Sequence, residues 1–318
     1  MRRLLATVFA TAVLLAAETP PLTLLVGNKD ENSLAFVDPS NGKVIGRVPT
    51  GNGPHEVAAS TDGKLAFVAN YGTGPAPGST ISVIDAVNMK EIRKVDTSPM
   101  MRPHGLFFAD GKLYFTAEAN RAIGRYDPAA NKIDWVMGTG QNSTHMVIVA
   151  RNGTIFTANI GSDTITVLER AGETQVPVGK GPEAMDLSPD GRELWTAHSR
   201  DGGVSVIDVA AKKVVATISA GTKRSNRLKF TPDGRHVLIS DLDGGEIVVI
   251  DAAARKETQR IAIGKTPEGI LMAKDGSKAY VGVAGDNKVA VIDLKTMKVN
   301  GSLDTGKGPD GMAWADRR

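Results

Sequence analysis

Five histidines stand in this chain of 318 residues, and three of them recur at matching places. His55, His104 and His145 each follow a short turn-like pair: Gly53-Pro54, Arg102-Pro103 and Ser143-Thr144. The same phase carried down the chain falls on Glu183, Asn226, Glu268 and Asp310. Neutral imidazole together with carboxylate is the donor set of Zn, Cu, Fe or Ni sites. The same groups also serve as general acids and bases. Which chemistry is open to them depends on whether the fold gathers positions so far apart in sequence.

A second periodicity supplies that fold. The tripeptide Val-Ile-Asp or a close variant ends at Asp38, Asp85, Asp127, Glu169, Asp208, Asp251 and Asp293, in steps of 47, 42, 42, 39, 43 and 42 residues. Asp-Gly or Asn-Gly keeps the same beat at 62–63, 110–111, 152–153, 190–191, 233–234 and 275–276. Within residues 53–95 the pieces read as Val57–Ala59, a tight turn at Asp62-Gly63, Leu65–Ala69, Ile81–Asp85 and Glu91–Val95. Glycine in that turn supplies the positive φ of a hairpin. Helical periodicity is missing over any useful length, so the fold class is all-β. A strand-only repeat of this length predicts a seven-bladed β-propeller with four antiparallel strands per blade, a to d outward from the axis. The repeat phase also predicts closure. The chain enters at a b strand (Leu22–Val26) and leaves at an a strand (Gly311–Ala315), so the last strand completes the first blade and leaves no free edge.

Several phrases resemble the YVTN family of seven-bladed propellers: Phe67-Val68-Ala69-Asn70, Ile81-Ser82-Val83-Ile84-Asp85, Gly53-Pro54-His55, Ser188-Pro189-Asp190-Gly191 and Gly181-Pro182-Glu183. The resemblance spans 22–318, with departures at Thr144 and at Arg224-Ser225-Asn226. It implies that Gly-Pro-His belongs to the repeat itself, so that each histidine caps a blade rim. That reading stands beside the functional one.

Counting back from the turn centres pairs each a-strand position with the end of its b strand: His55 with Asn70, His104 with Glu118, His145 with Asn159, Glu183 with His198, Asn226 with Asp241, Glu268 with Val283 and Asp310 with Asn28. Directly opposed side chains lie about 5 Å apart at Cβ. Fourteen positions then converge on one mouth, and all but Val283 are polar. Three roles follow as expectations. His55, His104 and His145 are the candidate metal ligands, with a divalent ion or copper as the cofactor; the thioethers of Met100 and Met101 favour copper weakly. Glu118, Glu183 and His198 are the candidates for acid–base catalysis. Asn70, Asn159, Asn226, Asp241, Glu268 and Asp310 are the candidates for holding a ligand. The long loop 72–79 joins b to c and so overhangs the same face, as a gate or a spacer.

Met1 to Ala17 reads as a secretory signal: Arg2 and Arg3, an apolar run from Leu4 to Leu15, then Ala16-Ala17. The run is too short to span a bilayer. Its removal leaves 36 basic and 35 acidic residues, a near-neutral surface that disfavours nucleic acid as a partner. Lys223, Arg224, Arg227 and Lys229 form the exception and read as a solvated loop. With no cysteine there is no disulfide frame, and about 300 residues bury a core unaided. Trp135, Trp195 and Trp314 read as blade packing. No nucleophile elbow or phosphate loop is present. A periplasmic monomer is expected, with a small molecule or metal at the channel mouth. A metal-assisted hydrolase or lyase of lactonase type, and a scaffold that binds a protein on a rim, remain as alternatives.

Overall fold

A computed structural model describes residues 19–318; the signal segment lies outside the described residues. The chain forms seven four-stranded antiparallel sheets arranged as a propeller. Blade 1 takes its three outer strands from Leu22–Asn28, Ser33–Asp38 and Lys43–Pro49, and its innermost from Pro309–Asp316. Blades 2 to 7 follow at 54–96, 103–138, 144–177, 182–219, 225–262 and 267–303. The expected closure is therefore present, with Leu24 opposite Trp314 and Val26 opposite Met312.

Both repeated motifs are turn devices. In Ser60-Thr61-Asp62-Gly63 the Ser60 hydroxyl donates to Asp62, and the backbone N–H of Leu65 donates to Ser60 Oγ; Gly63 sits at φ +66°. The aspartates that end six of the c strands accept backbone N–H groups of the next turn, as Asp85 does from Val87 and Asn88, while Glu169 in blade 4 instead accepts from the Lys212 ammonium. These repeats thus fix strand ends and leave the channel free for other residues.

The b and c strands are almost continuously buried, because each blade is covered on both faces. Phe36, Phe67, Phe115, Phe156 and Trp195 fill the spaces between sheets, the last as the packing reading expects. The d strands of blades 1, 2 and 5 alternate exposed and half-buried residues, those of blades 6 and 7 are exposed almost throughout, and charged side chains on these outer strands protect the edges. No described helix is long and apolar enough to cross a membrane.

Candidate functional site

Every innermost strand carries an irregularity at its start. Pro54 pairs with Asn70 and Val57 with Val68, so His55 and Glu56 together oppose one residue. The same step occurs at 103–106, 144–146, 182–184, 225–228, 267–270 and, across the closure, 309–312. A β-bulge of this kind leaves one residue unpaired and re-aims its side chain. Here it turns His55, His104, His145, Glu183, Asn226, Glu268 and Asp310 into a single cavity of about 550 Å³.

The bulge also corrects the expected pairing. Asn70 lies opposite Pro54, Asn159 opposite Thr144, His198 opposite Pro182, Asp241 opposite Ser225 and Asn28 opposite Pro309. Each is one residue out of phase, and a one-residue slip in a strand reverses the face. These side chains accordingly do not line the cavity. Asn70 accepts from Gly51 N–H and donates to Thr80 and Ser82, while Asn159 donates to Thr164 and Thr166. Asp241 accepts the backbone N–H groups of Lys223 and Arg224. His198 Nδ1 lies 2.9 Å from Asp201, in a separate cleft between the end of blade 4 and blade 5, where burial lowers the imidazole pKa despite the acid.

The b-strand positions that do face the cavity come one residue later: Lys29, Tyr71, Glu118, Ile160, Ser199 and Leu242. Glu118 is the one of these that the sequence count names, because pairing His104 with residue 118 centres that turn on Gly111 and so offsets the one-residue bulge. The ladder itself, with Ala109 opposite Lys112, would carry residue 104 to Ala117. Tyr71 sits on the hairpin that the 72–79 insertion extends. Arg102 holds that hairpin by donating to the carbonyls of Thr73 and Gly74, and its guanidinium lies 4.8 Å from the Tyr71 ring.

One wall is aromatic. The rings of His104 and His145 lie 3.7 Å apart, with His55 4.9 Å from His104 and Tyr71 4.8 Å from His55. The Tyr71 hydroxyl donates to Glu118 Oε2 at 2.7 Å, and that oxygen lies 3.6 Å from His145 Nδ1. Burial, then the Glu118 charge, pushes the Tyr71 pKa up to about 12. Burial opposes the charge on Glu118, yet His145 and Tyr71 hold its pKa below the usual value. His104 is kept neutral by burial and by its imidazole neighbours. The three imidazoles thus meet, but as a column of tilted rings, at interplanar angles of 31° and 40°. Among the described residues no three His, Asp or Glu side chains aim donor atoms at one point, so the expected three-histidine metal set does not fit this arrangement. Neighbouring blades bring the rings side against side at centroid distances of 3.7 and 4.9 Å, so that they pack on one another and do not point their nitrogens at one site.

The other wall is ionic. Lys29 Nζ lies 2.5 Å from Glu268 and 3.4 Å from Asp310, and His55 Nδ1 lies 3.0 Å from Asp310. Arg227 reaches from blade 6 to Glu56 of blade 2, three blades round the ring, and so lies across the axis. It is buried, contrary to the solvated loop expected of this patch. Burial, then the Asp310 charge, pushes Glu268 up to about 8. Asp310 is held far below the carboxylate range: burial works against its charge, but Lys29, the His55 hydrogen bond and Arg227 outweigh it. Two neighbouring acids driven in opposite directions are a mark of functional sites as well as of structural networks. Glu183 accepts from Asn226 Nδ2 at 2.8 Å.

Sequence reasoning missed Lys29, Tyr71, Arg227 and Glu56. A signal for the last two was present. The residue after each mouth position is glycine at 105, 269 and 311, where a Cβ would strike the next strand's backbone, whereas 56 and 227 carry opposite charges.

The family model for YNCE-like β-propellers matches residues 4–317, nearly the whole chain. The chain belongs to the YNCE-like β-propeller family. No curated protein matches its sequence. Among solved structures, this YNCE-like propeller is similar to the periplasmic gluconolactonase PpgL of Pseudomonas aeruginosa. Identity is 18% and TM-score 0.74, covering 92% of this chain and 98% of that one. It is also similar to a putative 6-phosphogluconolactonase from Bacteroides fragilis, at 14% identity and TM-score 0.77 over 96% and 99% of the two chains. Hydrazine synthase of Kuenenia stuttgartiensis matches at 19% identity and TM-score 0.71, over 81% and 88%. At these identities the likeness establishes the fold alone.

Proposed function

We propose that this YNCE-like propeller is an exported, periplasmic binding protein that takes a small polar molecule into the channel mouth. The observation that carries the reading is the imidazole column. His104 Nδ1 and both ring nitrogens of His145 are buried without a hydrogen-bond partner among the described residues, against a cavity large enough for a small molecule. Leaving such groups unsatisfied is costly, so a ligand or ordered water that bonds to them is favoured. Pockets of this size with a few convergent polar groups are the usual form of small-molecule sites.

The test is a thermal-shift and calorimetric screen of small polar metabolites against wild type and His104→Ala/His145→Ala. Binding that the double variant loses, with its circular dichroism unchanged, supports the reading. Equal binding by both, or no ligand for either, refutes it. Export is tested by intact mass of the periplasmic protein, expected to lack residues 1–17 or nearly so; a full-length mass would refute cleavage.

A second reading, lactone hydrolysis, is favoured by one feature. Glu118, adjoining Tyr71 and His145, is an ionised carboxylate at the cavity wall, placed to take a proton from an attacking water. Turnover of a lactone panel, reduced about a hundredfold or more in Glu118→Gln, would support it; no turnover of any lactone excludes it.

A further inference from the structure

Two adjacent blades break the repeat at the entrance of the cavity. The residue two places before each inward a-strand position is glycine at 53, 181 and 308, and Ser143 and Thr266 in blades 4 and 7. Blades 3 and 6 place Arg102 and Arg224 there. Arg102 is engaged within the protein, on the carbonyls of Thr73 and Gly74 and against the Tyr71 ring. Arg224 has no such partner among the described residues, and it lines the cavity. Beside it in blade 5, Arg200 follows the inward Ser199 and lines the cavity too; both arginines are exposed. Four other blades carry Gly72, Ala119, Gly161 and Gly285 at the place of Arg200.

Among the described residues no carboxylate forms an ion pair with either guanidinium, and the acids nearby are engaged elsewhere. Asp163 is held below the usual range first by Lys180, 2.9 Å away, with Arg200 a lesser and more distant charge. Asp201 accepts from Gly203 N–H and adjoins His198, and Asp241 accepts the N–H groups of Lys223 and Arg224. The acids deeper in the cavity have cations of their own. Lys29 takes Glu268 and Asp310, and Arg227 takes Glu56 and Asp310, its charge acting also on Glu183. Glu118 accepts from Tyr71 and is steadied by the charges of His145 and Arg102.

Two guanidinium groups at the entrance are thus left without an acid. Their planar forks match the oxygens of a carboxylate or a phosphate. The inner acids repel an anion placed deeper, which keeps the charged end of a ligand at the entrance. Ile160 and Leu242 line the cavity from the blades on either side of Ser199, a surface that favours an uncharged stem. Neutral imidazole nitrogens give or accept one hydrogen bond each, which suits an uncharged polar group such as a hydroxyl.

We infer that the ligand of this cavity is a small anion, its carboxylate or phosphate held at the entrance by Arg200 and Arg224 and its uncharged polar end turned toward the imidazoles. The inference rests on the small-molecule reading above and narrows it to a class.

The experiment is isothermal titration of the full mature chain near neutral pH. The probes are 4-hydroxybutyrate and glycerol 3-phosphate as anions, with 1,4-butanediol as the neutral and 4-amino-1-butanol as the cationic comparator. An anion is expected to bind, and which of the two binds tells carboxylate from phosphate. Arg200→Gln/Arg224→Gln, which replaces exposed side chains, should weaken it about tenfold or more. Arg192→Gln/Arg235→Gln removes the same charge from Asp-Gly turns at the far end of the blades, and should leave the affinity unchanged. The inference is overturned if neither anion binds, if the Arg200/Arg224 variant binds as tightly as wild type, or if the diol binds as tightly as the anions. Should the anions fail while a neutral or cationic probe binds and is lost in His104→Ala/His145→Ala, the small-molecule reading survives and only the anion falls. Should no probe and no metabolite bind, both fall together.

Discussion

Glu268→Gln is predicted to make this propeller more stable than wild type in alkali, and progressively less advantaged as the pH falls. Glu268 is buried, and its pKa stands near 8 against an ordinary glutamate value of 4.5. In the unfolded chain the carboxyl has lost its proton by neutrality, whereas the folded chain retains it until pH approaches 8. The native state therefore binds more protons across this window, and stability falls as pH rises through it. An isolated group with these two values would withdraw about 2.7 kcal/mol between about pH 6 and pH 9. Coupling to Asp310 spreads the titration and leaves about 1–2 kcal/mol, or roughly 2–4 °C in Tm for a chain of this length. Glutamine reproduces the neutral form and cannot titrate, while Lys29 keeps Asp310 at 3.4 Å. The assay is thermal unfolding of both proteins from about pH 6 to about pH 9, read as the difference in Tm at each pH, which cancels the titration of the histidines. That difference should climb in favour of the variant. A difference independent of pH, or one that climbs in favour of wild type, would refute the assignment of a retained proton to Glu268.

Arg227→Ala should cost about 3–5 kcal/mol, because it removes the guanidinium shared by Glu56 and the buried Asp310. Adding Glu56→Gln should recover part of that loss in urea unfolding; strict additivity of the two changes would show that they do not interact. Deleting residues 309–318 removes the innermost strand of blade 1 together with Asp310, and should lower Tm sharply; an unchanged Tm would contradict the closure.

The fold was legible because its signals are local and repeated. Each Asp-Gly turn and each Val-Ile-Asp strand end announces itself within a few residues, and seven copies make the count secure. The a-strand half of the site was legible for the same reason: one phase, carried from His55 to Asp310, named all seven inward residues. The b-strand half was not. Turn counting assumes an unbroken ladder, and a bulge of one residue in each a strand exchanged Asn70 for Tyr71, Asn28 for Lys29 and His198 for Ser199. Nothing local marks the bulge apart from the proline or small polar residue before it. The Arg227–Glu56 pair joins residues 171 positions apart and depends on the ring being closed. The packed imidazole column, similarly, follows from how neighbouring blades abut, which the spacing of histidines cannot reveal.

The central claim is that the channel mouth holds a small molecule on the imidazole column. A crystal structure of the wild-type protein, soaked in the compound that raises its Tm most, tests that claim directly. The account predicts continuous density within hydrogen-bond distance of His104 or His145 and in contact with Glu118, inside the ring of seven a-strand side chains. Density confined to the cleft beside His198 or to the outer rim, with the imidazole column unchanged and in contact only with protein and water, would contradict it.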